Sequence, residues 1–122
     1  NEVPVRSLVK ALVSATPATR IALLPVAAGI VNPAVRQALR ASAQQALKHF
    51  PEAISGYEKA AEALARAGED QMRVQVMQLL SALHLRRFRF INAVKALQSG
   101  LAGVKDPTPR QRLMKKLLFF RL

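Results

Sequence analysis

Apolar residues recur three and four positions apart along most of the chain, the spacing of helix faces buried against a neighbour. Two-residue alternation is nowhere sustained, and neither an Asn-Gly nor an Asp-Gly turn occurs, so strand signals are missing. Proline punctuates the pattern: Pro4, Pro17, Pro33, Pro51 and Pro109 each open a helix-forming run. Thr16, Asn32 and Thr108 stand directly before a proline. Such a side chain satisfies a free backbone N–H, and the proline behind it has none to satisfy. The pattern predicts seven helices, at about 4–14, 17–31, 33–48, 51–67, 70–85, 88–102 and 109–121. The first places Val5, Leu8, Val9 and Leu12 on one face. The second is expected to bend or break near Pro25, because an internal proline loses a hydrogen bond and crowds the preceding turn. Gly68 and Gly103 read as C-terminal stops. Short connections force neighbouring helices into antiparallel hairpins, so the fold class is all-α.

The pattern also repeats. Shifted by 40, Phe50, Ala53, Ile54, Tyr57, Ala60, Ala61 and Leu64 fall on Phe90, Ala93, Val94, Leu97, Gly100, Leu101 and Val104. In the preceding helices Leu39, Ala41 and Ser42 fall on Leu79, Ser81 and Ala82, and a further shift puts Leu79 and Leu80 on Phe119 and Phe120. A period of this size in an all-helical chain points to a helical solenoid.

The segment from His49 to Ala60 resembles the second helix of a tetratricopeptide (TPR) repeat. Ala53, Tyr57 and Ala60 match its small, large and small positions, as do Ala93, Leu97 and Gly100. Ala41 and Ser81 sit where the first helix needs a small residue, and Leu80 fits the apolar position before Ser81. Small residues let two helices approach and the large one fills the gap between hairpins. Arg40 departs from the apolar position, Gln44 and His84 stand at a position usually aromatic or apolar, and the family's usual period is 34. The resemblance covers 33–105. It implies a short TPR-like solenoid of two hairpins, an N-terminal helical segment at 1–32 and a C-terminal basic amphipathic helix at 106–122. Phe90 is then a core position.

Composition narrows the role. The 122 residues include 19 Lys and Arg against 7 Asp and Glu, a formal charge of +12. Residues 1–50 carry +5, residues 51–70 carry −3, and residues 71–122 carry +10 with Asp106 the only acid. A field of this sign attracts RNA, anionic lipid or acidic protein surfaces. With no cysteine, a disulfide scaffold, Cys-ligated zinc, an iron–sulfur cluster and a thiol nucleophile are excluded. With 51% apolar residues, wholesale disorder is not expected. Ile21–Val31, the longest apolar run, falls well short of the roughly 18 residues of a membrane span. Residues 3–50 contain no acid, which resembles organelle-targeting sequence. Because the first residue is Asn, either a processed chain or an internal start is expected.

Catalytic patterns are missing. His49 and His84 have no carboxylate or second histidine at ligand spacing, and a positive His84 would suit the end of its helix. Glu58 and Glu62 share a helical face that reads as solvated. No serine stands in a Gly-x-Ser-x-Gly elbow and no phosphate-binding glycine loop exists. No enzyme and no cofactor are expected, and no metal site or small-molecule substrate.

Two segments carry candidate chemistry. Arg86-Arg87-Phe88-Arg89-Phe90 interleaves cations with aromatics: Arg86, Arg87 and Arg89 can pair with phosphate, and Phe88 is free to stack or dock. In the last helix Arg110, Arg112, Lys115 and Lys116 supply charge, while Leu113, Leu117, Phe119 and Phe120 form a docking face that Met114 and Leu118 widen. These features suit a non-catalytic structural subunit of a large organellar assembly, held to other protein subunits and to RNA. The mitochondrial ribosome is the leading case and a mitochondrion the expected location. The rivals are an accessory subunit of a mitochondrial inner-membrane complex, such as ATP synthase or a respiratory complex, and a TPR-type adaptor that captures a peptide. The mean hydropathy of +0.12 favours the membrane rival, where the basic helix meets anionic lipid headgroups.

Overall fold

A computed structural model describes residues 5–120, and the side chains of 7–118. Among these the chain is all-helical: α1 (Val5–Leu12), α2 (Pro17–Ala22), α3 (Leu24–Ala27), α4 (Pro33–Ala46), α5 (Phe50–Arg66), α6 (Asp70–Arg86), α7 (Phe90–Ala102) and α8 (Pro109–Phe120). The expected break near Pro25 separates α2 from α3 at Leu23. Pro25 has no N–H to offer the Ile21 carbonyl, and the Leu23 N–H closes α2 on the Thr19 carbonyl at 3.0 Å.

The three expected N-caps are in place. Thr16 Oγ1 accepts from the Thr19 N–H at 3.2 Å. Asn32 Oδ1 accepts from the N–H groups of Ala34 and Val35 at 3.0 and 3.3 Å. Thr108 and Gln111 form a reciprocal capping box, the Gln111 N–H on Thr108 Oγ1 at 3.2 Å and the Thr108 N–H on Gln111 Oε1 at 3.0 Å.

The long helices α4, α5 and α6 all end in the same turn. Lys48, Gly68 and Phe88, twenty residues apart, take φ of 65°, 74° and 60°. The next residue in each case donates its N–H five positions back: His49 to Gln44, Glu69 to Leu64 and Arg89 to His84, at 2.8, 2.9 and 2.8 Å. The left-handed residues themselves donate to Gln45, Ala65 and Leu85. This is the double closure of a Schellman cap, and it reverses the chain tightly enough to lay each helix beside the next. Gly103, the other expected stop, caps α7 with an ordinary φ of −83°. Its missing side chain makes room for Arg73, whose Nη1 would lie 3.0 Å from an added Cβ. Arg73 donates from there to the Ser99 carbonyl and hydroxyl, both at 2.8 Å.

Packing follows the hairpins. The most extensive contacts join α4 to α5 and α6 to α7, with α5 against α6 next. Helix α1 touches both α4 and α6, lying over the first helices of the two hairpins. Val9, Leu12 and Ala27 are buried in one core with Val35, Leu39, Tyr57, Leu64, Val76, Leu79 and Leu83. Close approach rests on small residues. A Cβ at Gly56 would stand 2.8 Å from Ala41 Cβ, and one at Gly100 would stand 3.0 Å from Met77 Cβ. Ala53 and Ala93 are both buried, and Ser81 Oγ donates to the Ala93 carbonyl at 2.8 Å. A second, smaller core joins Val74, Leu101 and Val104 to Met114 and Leu118 of α8.

The 40-residue correspondence fails at its end. Phe90, expected in the core, is 58% exposed, and its neighbour Ile91 is 70% exposed. The reason is position. Phe50 packs against the main core and carries Arg87 over its ring. Among the described residues nothing covers Phe90 in this way: the contacts of α8 lie at Gln98, Leu101 and Val104, toward and beyond the other end of α7.

Replacing Gly56 by alanine therefore tests the close contact. Helix propensity alone favours alanine by about 1 kcal/mol. We expect Gly56→Ala instead to lower stability by about 1–3 kcal/mol, because the Ala41 contact must be forced apart. Equilibrium urea unfolding measures this directly.

Candidate functional site

The α6–α7 turn presents both halves of the expected cation–aromatic segment. Arg86, Arg87 and Arg89 are all exposed. Phe88 is 79% exposed at the left-handed position of the turn. Its ring meets Phe90 edge to face, with centroids 6.2 Å apart. Two aromatics are thus open to a partner where the sequence predicts one, and Leu85 and Ile91 extend the apolar surface beside them. An L-residue at such a φ costs about 1–2 kcal/mol relative to glycine. The turn would close without the phenyl ring, as Gly68 shows in the neighbouring turn.

Helix α8 sorts its apolar residues into two faces. Met114 and Leu118 turn inward onto α6 and α7, while Leu113 and Leu117 remain 60% and 61% exposed. Three hydrogen bonds accompany this rotation. The Gln111 side chain pairs reciprocally with Gln71 of α6 at 2.8 and 3.2 Å. Gln98 of α7 donates to the Leu118 carbonyl at 3.2 Å. Arg110, Arg112 and Lys116 stay exposed beside the outward leucines, and Lys115 is half-buried. The side chains of Phe119 and Phe120 lie outside the described residues.

A groove of about 680 Å³ runs along α6 between α1 and α8. Its lining includes Val13, Val74, Leu97 and Met114 with the amides of Gln71, Gln75, Gln78 and Gln111. Lys10, Val13 and Ser14 form its wall on the α1 side.

Neither histidine is placed for acid–base work. His49 Nδ1 lies 2.7 Å from Gln44 Oε1 at an exposed turn. His84 is buried, and its Nδ1 has no hydrogen-bond partner. Burial, reinforced by the Arg89 charge and opposed by Glu58, holds the His84 pKa below its ordinary value. Desolvation by the core thus works against the positive ring that this helix end would favour.

What the sequence reading missed is the availability of Phe90 and Ile91 and the special backbone at Phe88. The available signal was the offset of twenty from Gly68, the one glycine among the three turn positions. Compared with family models, curated proteins and solved structures, the chain has no match.

The state of His84 sets a pH dependence. In the unfolded chain a histidine gains its proton near pH 6.5. The folded site takes it up only at lower pH, so stability is full above about 6.5 and falls as the pH drops toward the folded value. We expect the stability lost between pH 7 and pH 5 to be smaller in His84→Gln than in the parent chain, measured by urea titration at both pH values.

Proposed function

We propose that this chain is a non-catalytic scaffold subunit of a larger RNA-containing assembly, built as a short TPR-like array and docked through its α6–α7 corner. The observation that carries the reading is Phe88. A side chain held at φ 60°, nearly fully exposed, strains the turn and contributes little packing in return. Its benefit lies outside the chain. Arg86, Arg87 and Arg89 flank it, so phosphates are held by guanidinium forks while Phe88 and Phe90 offer faces to unstacked bases. The basic residues of α8 extend the same field. The acid-poor stretch at 3–50 is the ground for placing the assembly in a mitochondrion, with the ribosome as its leading form.

One observation favours a second reading. The outward stripe of Leu113 and Leu117, bordered by Arg110, Arg112 and Lys116, has the make-up of a helix that meets anionic headgroups or a membrane-complex subunit. The adaptor reading would use the groove between α1 and α8, which carries few charged side chains, Lys10 and Arg110.

Fluorescence anisotropy with a short single-stranded RNA tests the first reading. Affinity is expected to fall linearly with salt on logarithmic axes. Phe88→Gly should weaken binding about tenfold, the scale of one base–aromatic stack, without loss of folding. RNA affinity unchanged in Phe88→Gly and in Arg89→Gln contradicts the proposal. Binding to anionic liposomes that requires Leu113 and Leu117 would move the role to the second reading.

A further inference from the structure

A basic cavity of about 560 Å³ opens between the α1–α2 connection, the α4–α5 turn and the end of α6. Arg20, Lys48, Arg86 and Arg87 line it with Gln45 and Phe50, and no carboxylate is among its described lining residues. Arg20 is the anomaly. It is only 8% exposed. Its Nη2 donates to the Leu12 carbonyl at 2.9 Å, closing the end of α1. Its Nε is buried with no hydrogen-bond partner.

A guanidinium withdrawn from water ordinarily faces an anion. Here the other charged groups of the cavity are three more cations. Tyr57 does not supply the missing charge: burial pushes its hydroxyl up to about 12 against the pull of Arg20, and it donates to Gln45 Oε1 at 2.8 Å. The surrounding donors are arranged in advance. The Arg87 guanidinium lies 4.3 Å from the centroid of the Phe50 ring, which limits the freedom it would lose on binding. Lys48 is held at φ 65°, where the equivalent turn uses Gly68. The 17-residue helix α5 starts at the cavity with no side-chain cap, and Glu52 in its first turn, outside the cavity lining, offsets part of its positive end.

We infer that this cavity binds a polyphosphate group, a di- or triphosphate held by Arg20, Lys48, Arg86 and Arg87. A carboxylate carries one charge against four cations, whereas a polyphosphate matches their number and offers oxygens to several guanidinium forks. Inorganic polyphosphate and the phosphate chain of a nucleotide share this chemistry. The inference goes beyond the RNA-docking reading. The two surfaces share Arg86 and Arg87, but Phe88, Phe90 and Arg89 are outside the cavity lining.

Isothermal titration of the full chain with inorganic pyrophosphate, and separately with inorganic triphosphate and with ATP, tests it. Saturable binding at one site is expected, with sulfate much weaker. Lys48→Gly removes a cation while relieving the backbone, so it leaves the fold intact and should weaken pyrophosphate binding about tenfold. Arg86→Gln should do the same. Lys59→Gln, the same loss of charge at an exposed position on α5, should change affinity by less than about twofold. Equal affinities for inorganic triphosphate and ATP identify the phosphate chain alone as the ligand, and ATP binding tighter than inorganic triphosphate identifies a nucleotide. Phe88→Gly should retain pyrophosphate binding even where RNA binding is lost, which separates the two proposals. Absence of saturation at millimolar pyrophosphate, or equal weakening by Lys59→Gln and Lys48→Gly, overturns the inference.

Discussion

The hairpins from α4 to α7 depend on one backbone constraint, the left-handed residue that reverses direction after α4, α5 and α6. At Lys48, Gly68 and Phe88 a positive φ lets two N–H groups turn back onto the helix just ended. The reversal satisfies carbonyls that would otherwise be orphaned, and starts the following helix two residues later. Because all three turns share one geometry, the helices repeat at twenty residues and the hairpins at forty. Glycine takes this conformation freely, whereas lysine and phenylalanine each give up about 1–2 kcal/mol. Those two side chains stand at the rim of the basic cavity and at the exposed corner.

Once the helices are turned back, small residues decide how near they come. Gly56 against Ala41 and Gly100 against Met77 leave no space for an added methyl group. This close approach draws Tyr57 fully into the core between the helices. Among the described residues no hairpin covers the α6–α7 turn. Phe90 and Ile91 are exposed there for the same reason that Phe50 is partly covered one repeat earlier. The uncovered turn is also the most cationic one, while the exposed acids Glu52, Glu58 and Glu62 lie on α5.

Much of the fold was legible because its signals are local. Thr16, Asn32 and Thr108 cap where a polar residue stands before proline, and Pro25 breaks the helix that its missing N–H must break. The hairpin pairing follows from the short connections. What was not legible is set at a distance. The register equates Phe90 with Phe50 but does not say where the array ends. The periodicity of α8 offers two adjacent stripes, and the Gln71–Gln111 amide pair, forty residues apart in the chain, selects Met114 and Leu118 over Leu113 and Leu117. His84 looks like a helix-end cation until burial is known. Arg20 belongs to no motif, and only the packing of α2 against α4 carries it into the cavity.

The central claim is that Lys48 and Phe88 are kept for contacts outside the chain and at the expense of the turns that hold them. Thermal unfolding of the double variant Lys48→Gly/Phe88→Gly tests it most directly. The account predicts a melting temperature above that of the parent chain, by several degrees for a relief of about 1–2 kcal/mol at each turn. A melting temperature below the parent's would contradict it, and would show that the two side chains hold the fold together.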